Sequence, residues 1–333
     1  MKSLTMGRLF VQLLLSACAV AQSSQYSVLC NIVRTTHARP QDAKAATEDI
    51  PNVHATVAGR MVQDLSVSKA TGPRRIFILQ DRSGSFKHGN ADRLSWQVVK
   101  YFVASSPASD QLALVDFNDQ AYLDISVRKA ELFAAGLDDP QLAKKTKPRG
   151  GTAAFDAVAS ASDYLRSAPQ EGDSIFLITD GGDNASRVSA ADLRNHLLGS
   201  GVRIFVLVLE DSLLPPAEKK GQRELTRIAE ENGGYAAHLV PANRAMLEFR
   251  PGGPFEPMYD LGAKGLEHIR SIVEDMHALI ETPYRVSFSL NTPVQLPAPL
   301  KVWIDPKGSS EAEDVGILFP QLLGGNAIVK SQK

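Results

Sequence analysis

Three short stretches of this chain combine oxygen-bearing side chains with glycine in a way that suits a hard cation. The first is Asp81-Arg82-Ser83-Gly84-Ser85, the pattern D-x-S-x-S. The second, Arg149-Gly150-Gly151-Thr152, opens a helix expected to begin near Ala153. The third is Thr179-Asp180-Gly181-Gly182-Asp183-Asn184. An ion such as Mg²⁺ asks for near-octahedral oxygen ligands at about 2.1 Å and keeps several waters. Ser83, Ser85 and Thr152 offer neutral hydroxyls, while Asp81 and Asp180 supply the negative charge. With so few anionic ligands, an ion held here stays electrophilic and has a coordination position to share, which a partner's carboxylate could fill. A donor set without His or Cys disfavours Zn²⁺ and Cu²⁺, so Mg²⁺ is the expected ion, with Mn²⁺ or Ca²⁺ as alternatives. Gly84, Gly150 and Gly151 let the backbone crowd close to it.

Such a set works only if the fold gathers it. Ile76-Phe77-Ile78-Leu79, Leu112-Ala113-Leu114-Val115, Ile175-Phe176-Leu177-Ile178 and Val202 to Leu209 are compact apolar runs, the mark of strands buried on both faces. Between them Leu94, Val98, Val99 and Phe102 recur at helical spacing, as do Ala154, Ala157, Val158, Ala161 and Leu165. Leu193 and Leu197 continue the alternation, and Leu225, Ile228 and Ala229 precede the helix stop Asn232-Gly233-Gly234. Ala121 to Val127 reads as a short edge strand, and Tyr235 to Leu239 as the last strand. Alternating strands and helices require right-handed crossovers and a mainly parallel sheet with helices on both faces. The expected fold class is therefore a doubly wound α/β domain. Open sheets of this kind bind ligands beyond the carboxyl ends of their strands, where the three oxygen-rich stretches fall.

The set Asp81, Ser83, Ser85, Thr152 and Asp180 resembles the metal-ion-dependent adhesion site of von Willebrand factor A domains, over about half the chain, Arg74 to Ala242. The resemblance implies that Asp81, Ser83 and Ser85 form the first metal loop. It makes Thr152 the ligand of the second loop and Asp180 the carboxylate of the third, often acting through water. It also implies a protein partner presenting an acidic group, with Arg82, Phe86, Lys87, Asp183 and Asn184 on the rim. The stretch Asp180 to Arg187, together with the export-type N-terminus and the Tyr284 to Leu290 segment, resembles exported relatives of this family from acidobacteria. Gln80 departs from the family by standing where an apolar residue is usual.

The expected layout is a leader over 1–21, a segment without sustained periodicity over 22–72, and the A-type domain over 73–242. A Pro- and Gly-rich linker (243–260) and an appendage (261–333) follow. In the first segment, Tyr26 to Val33 and Val53 to Val67 are candidate strands. The appendage reads as a helix, Leu261 to Glu281, then a period-two strand, Tyr284 to Leu290, with Leu300 to Ile304 its expected pairing partner. Lys2 and Arg8 precede an apolar run, Leu9 to Ser16, and Ala19-Val20-Ala21 matches an export cleavage site. Leu15-Ser16-Ala17-Cys18 also resembles a lipobox. Cleavage after Ala21 is preferred, and a lipid anchor at Cys18 stays open. Export places the protein in the periplasm or on the cell surface. Cys30 is then the remaining ordinary thiol, and no internal disulfide is expected.

Composition bounds the function. Hydrophobic residues make up 44% and charged residues 22% of 333 residues, which supports a packed core. The net charge of −1 gives no footprint for nucleic acid. No segment after the leader is long and apolar enough to span a bilayer, which needs about 20 residues. The sequence lacks G-x-S-x-G, G-x-G-x-x-G and P-loop patterns, so an enzyme is not expected. A Mg²⁺-dependent phosphoester hydrolase using Asp81 and Asp180 is the alternative.

Overall fold

The computed structural model describes residues 24–36, 39–45, 53–139, 142, 147–198, 200–211, 216–249, 256–304 and 313–324. The expected leader with Cys18, and residues 250–255 of the expected linker, lie outside the described residues.

Five strands come first: β1 (Ser24–Thr36), β2 (Arg39–Ala45), β3 (Val53–Val57), β4 (Arg60–Met61) and β5 (Gln63–Lys69). The α/β body then runs β6 (Arg75–Asp81), α1 (Ala91–Ser105), β7 (Gln111–Phe117), β8 (Ala121–Lys129), α2 (Ala130–Leu137) and α3 (Ala154–Ser167). It continues with β9 (Ser174–Thr179), α4 (Ala190–Leu197), β10 (Arg203–Leu209), α5 (Pro216–Glu231), β11 (Tyr235–Leu239) and α6 (Arg244–Phe249). The chain then forms α7 (Ala263–Glu281), β12 (Tyr284–Leu290), β13 (Ala298–Ile304), β14 (Glu313–Leu318) and β15 (Leu322–Leu323).

The body is a six-stranded sheet in the order β11-β10-β9-β6-β7-β8. Only β8 runs antiparallel to its neighbour. Every residue of β6, β9 and β10 is buried, because helices cover both faces. The pleat sends Ile76 and Ile78 of β6 to one core, shared with Leu94, Val98 and Phe102 of α1 and with Ile269, Val273 and Met276 of α7. It sends Phe77 and Leu79 to the other, with Val158 and Leu165 of α3, Leu193 of α4 and Leu225 of α5. Phe102 stacks on Phe176 at 4.4 Å between ring centroids; burying one such ring stabilises by about 1.5–3 kcal/mol.

The strands before and after this body belong together. Sheet β14-β1-β12-β5, with β2 on β1, lies in one layer, and β15-β13-β3-β4 forms another sheet. Tyr26, Val28, Val57, Val286, Phe288, Leu300 and Val302 share their core. The expected pairing of Leu300 to Ile304 with Tyr284 to Leu290 is not what forms: β13 pairs with β3, from Leu300↔Val57 to Ile304↔Val53. The reason is that β1 and β5 already occupy both hydrogen-bonding edges of β12. The strands are clamped to the body by polar groups. Asn31 donates to Leu279 O, Arg203 donates to Asn31 Oδ1 at 2.8 Å and to Ile280 O at 2.9 Å, and Arg285 forks onto Glu171.

Candidate metal centre

The order of the sheet decides where a ligand can sit. From β6 the chain crosses to β7 on one side, whereas β9, β10 and β11 extend the other side. The neighbours β6 and β9 therefore flank the point where winding reverses, and a crevice opens beyond their carboxyl ends. Asp81 is the last residue of β6, and Thr179 the last of β9, with Asp180 following. Two carboxylates of the expected ligand set thus project from adjacent strand ends.

Asp81 is fully buried. One carboxylate oxygen accepts from Ser83 N at 2.8 Å, and the other from Thr179 Oγ1 at 2.7 Å. Burial, followed by the charge of Asp180, pushes the Asp81 carboxyl up to about 8. The hydroxyls of Ser83 and Ser85 meet at 2.9 Å. The second loop is laced to the first: Gly84 N donates to Gly150 O at 2.9 Å and Arg149 N to Arg82 O at 2.8 Å. It is laced to the third as well. Thr152 N donates to Asn184 Oδ1 at 2.8 Å, and Thr152 O accepts from Asn184 N and Ala185 N. The loops carrying Asp81, Ser83, Ser85, Thr152 and Asp180 are thus brought together. Their donor chemistry, two buried carboxylates, one of which raises the other's proton affinity, beside three hydroxyls, fits a hard divalent cation, whose charge would stabilise both anions.

The expected rim divides. Lys87 is exposed, but Phe86 is 1% and Arg82 3% exposed, so neither presents itself to a partner as expected. Phe86, in the 3-10 turn Gly84–Lys87, is drawn into the α1 core because it is the one large apolar side chain of that turn. Arg82 pairs with Asp92, approaches Asp116 at 3.9 Å and lies over the Trp96 ring at 5.7 Å. Asp183 is half-buried and Asn184 exposed, and each turns a side-chain oxygen to a backbone N–H of the loops. Asp183 Oδ2 accepts from Phe155 N at 2.8 Å and Ser186 Oγ from Asp156 N at 3.0 Å, so the Gly181 to Arg187 loop caps the N-terminus of α3. Gln80 finds a polar partner in the core, donating to Ser95 Oγ at 2.7 Å.

Several contributors lay outside sequence reasoning. Asp119, in the turn between β7 and β8, accepts from Gly151 N at 2.6 Å and so holds the second loop. Gln222 of α5 donates to Asp180 O. Glu256 accepts from Gly89 N at 2.6 Å, and Asn90 exchanges two hydrogen bonds with Tyr259, so part of the expected linker is pinned beside the first loop. These are contacts across long stretches of chain, and no local pattern announces them. Next to the first loop lies a cavity of about 160 Å³ lined by Arg82, Asp116, Asn118, Tyr122, Asp124, Lys147 and Arg149.

No family model matches the sequence, and no curated protein does. Among solved structures, the chain is similar to the conserved hypothetical protein BatB from Bacteroides thetaiotaomicron, at 16% identity over 53% of this chain and 95% of that one, with a TM-score of 0.40. It is similar to an aerotolerance-related membrane protein from Bacteroides fragilis, at 18% identity over 53% and 96%, TM-score 0.38. It is also similar to a von Willebrand factor type A protein from Catenulispora acidiphila, at 12% identity over 82% and 74%, TM-score 0.48. No helix of the described residues is long and apolar enough to cross a membrane.

Proposed function

We propose that this protein is a non-enzymatic, divalent-metal-dependent binding module of the bacterial cell envelope. It engages an acidic group of a protein partner in adhesion or assembly. The observation that supports this reading best is the junction of three loops at the winding reversal of the sheet. There Asp81 and Asp180 lie close enough for one to raise the proton affinity of the other. Asp81, Ser83, Ser85, Thr152 and Asp180 would hold the ion, and the ion would supply an electrophilic position for the partner's carboxylate. The exposed Lys87, Lys147 and Arg149 surround the site with positive charge, which favours approach of an acidic surface. Export through the leader, and a lipid on Cys18 as the competing form of it, belong to the same proposal.

Calorimetry tests the core of it. Asp81→Ala should abolish Mg²⁺ binding and leave far-ultraviolet circular dichroism unchanged. Retention of Asp- or Glu-bearing peptides should require Mg²⁺ and vanish in the same variant. Unchanged metal affinity in Asp81→Ala would overturn the assignment. Mg²⁺-dependent phosphoester turnover that disappears in Asp180→Ala would replace it with the hydrolase reading.

A further inference from the structure

We propose that Asp110, His277 and Glu281 form a second metal site, at the opposite edge of the sheet from Asp81, that takes a transition-metal dication of the Zn²⁺ class. One ligand atom from each of the three lies within 4.8 Å of the others. Asp110 stands immediately before β7, beside the start of β6, whereas Asp81 ends β6. Six residues of strand put about 20 Å between the two places. His277 and Glu281 are spaced i, i+4 in the last turns of α7, which sets both side chains on one face of the helix.

The cluster is built into the protein interior. Asp110 is 1% and His277 5% exposed. Arg74 N fixes one oxygen of Asp110 at 2.9 Å. The other, Oδ2, and Glu281 Oε1 are buried and accept from no N–H or hydroxyl among the described residues; the two carboxyls lie within hydrogen-bonding reach of each other. Leaving a buried acceptor unmet costs about 1–3 kcal/mol, and more for a charge. Two arginines stand close by, yet neither reaches these oxygens. Arg74 donates to Ala70 O and to the backbone oxygen of Glu281. Arg203 donates to Asn31 Oδ1, Leu279 O and Ile280 O. Both guanidinium charges act on Glu281 from nearby, but their hydrogen bonds go to these other acceptors, so a bound cation would meet the carboxylate oxygens directly.

The imidazole is held for the same task. Phe102 packs edge-on against it at 4.9 Å, and Nε2 lies 3.9 Å from Glu281 Oε1. One nitrogen and two oxygens, with water as the fourth ligand, match tetrahedral zinc chemistry. A nitrogen ligand also separates this site from the all-oxygen set around Asp81, which suits Mg²⁺. The competing arrangement is metal-free, with Asp110 and Glu281 sharing a proton and His277 Nε2–H donated to Ser106 Oγ, 3.1 Å away.

Chelator-stripped protein titrated with Zn²⁺ distinguishes the two. Calorimetry should find a zinc equivalent in the wild type and also in Asp81→Ala, where the first site is removed, with a raised thermal midpoint in both. Glu281→Gln and His277→Gln, made in the Asp81→Ala chain, should lose both signals, and Mg²⁺ should not substitute. Glu281, whose side chain is 17% exposed, gives the variant expected to fold if His277→Gln does not. No zinc binding in Asp81→Ala, or unchanged zinc affinity in Glu281→Gln, would overturn the site.

Discussion

At the scale of single residues, positioning is divided between side chains that would touch the ion and side chains that hold those in place. Asn184 is the clearest of the second kind, since its Oδ1 accepts from Thr152 N. Asn184→Ala should weaken Mg²⁺ binding about 10- to 100-fold without loss of fold, as calorimetry beside circular dichroism would show. Asp116 makes a different prediction. Burial, with Asp124 beside it, raises its carboxyl well above 3.8, so the folded protein holds a proton that the unfolded chain releases. The stability tied to that proton is present in acid and lost as pH rises. Asp116→Asn should match the wild type near about pH 4 and exceed it increasingly towards about pH 8, in urea melts across that range. Residue types were readable from sequence here, but exposure was not. Asp81-Arg82-Ser83-Gly84-Ser85 announces oxygen ligands because the motif is local. That Arg82 is neutralised by Asp92 and Phe86 swallowed by the core depends on α1, which begins only at Ala91.

Among the elements, the parallel body was legible because double burial writes itself as unbroken apolar runs such as Ile76 to Leu79 and Ile175 to Ile178. The helices were legible through their apolar stripes. The loops between them were not, because their geometry is set by cross-chain hydrogen bonds. Gly150 illustrates this. Its φ is +74°, and a Cβ there would fall 2.1 Å from Asp119 Oδ2. Gly150→Ala should lower Mg²⁺ affinity and the thermal midpoint together. Gly201 has the same φ of +74° with open space around it among the described residues. Gly201→Ala should therefore cost only the backbone strain, about 1–3 kcal/mol, and leave Mg²⁺ affinity unchanged. Equal loss of affinity in both would show that backbone strain, not the Asp119 contact, shapes the second loop.

Over the whole molecule, the least legible feature was the union of the two flanking segments. Alternation in Tyr284 to Leu290 marks a strand, but nothing local says that its neighbour is Ser24 to Cys30. A chain lacking Ser24–Thr36 should leave one edge of β12 and the pairing edge of β14 open. Limited proteolysis should then cut within 284–324 while the α/β body survives; equal resistance would mean that β1 is dispensable. The same pairing also sets a timetable. A polypeptide made from its N-terminus presents Tyr26, Val28, Cys30 and Ile32 long before Tyr284 and its neighbours emerge to cover them. During that interval the first strand is an uncapped sticky edge, and a chaperone able to shield it would be needed until the last quarter of the chain arrives.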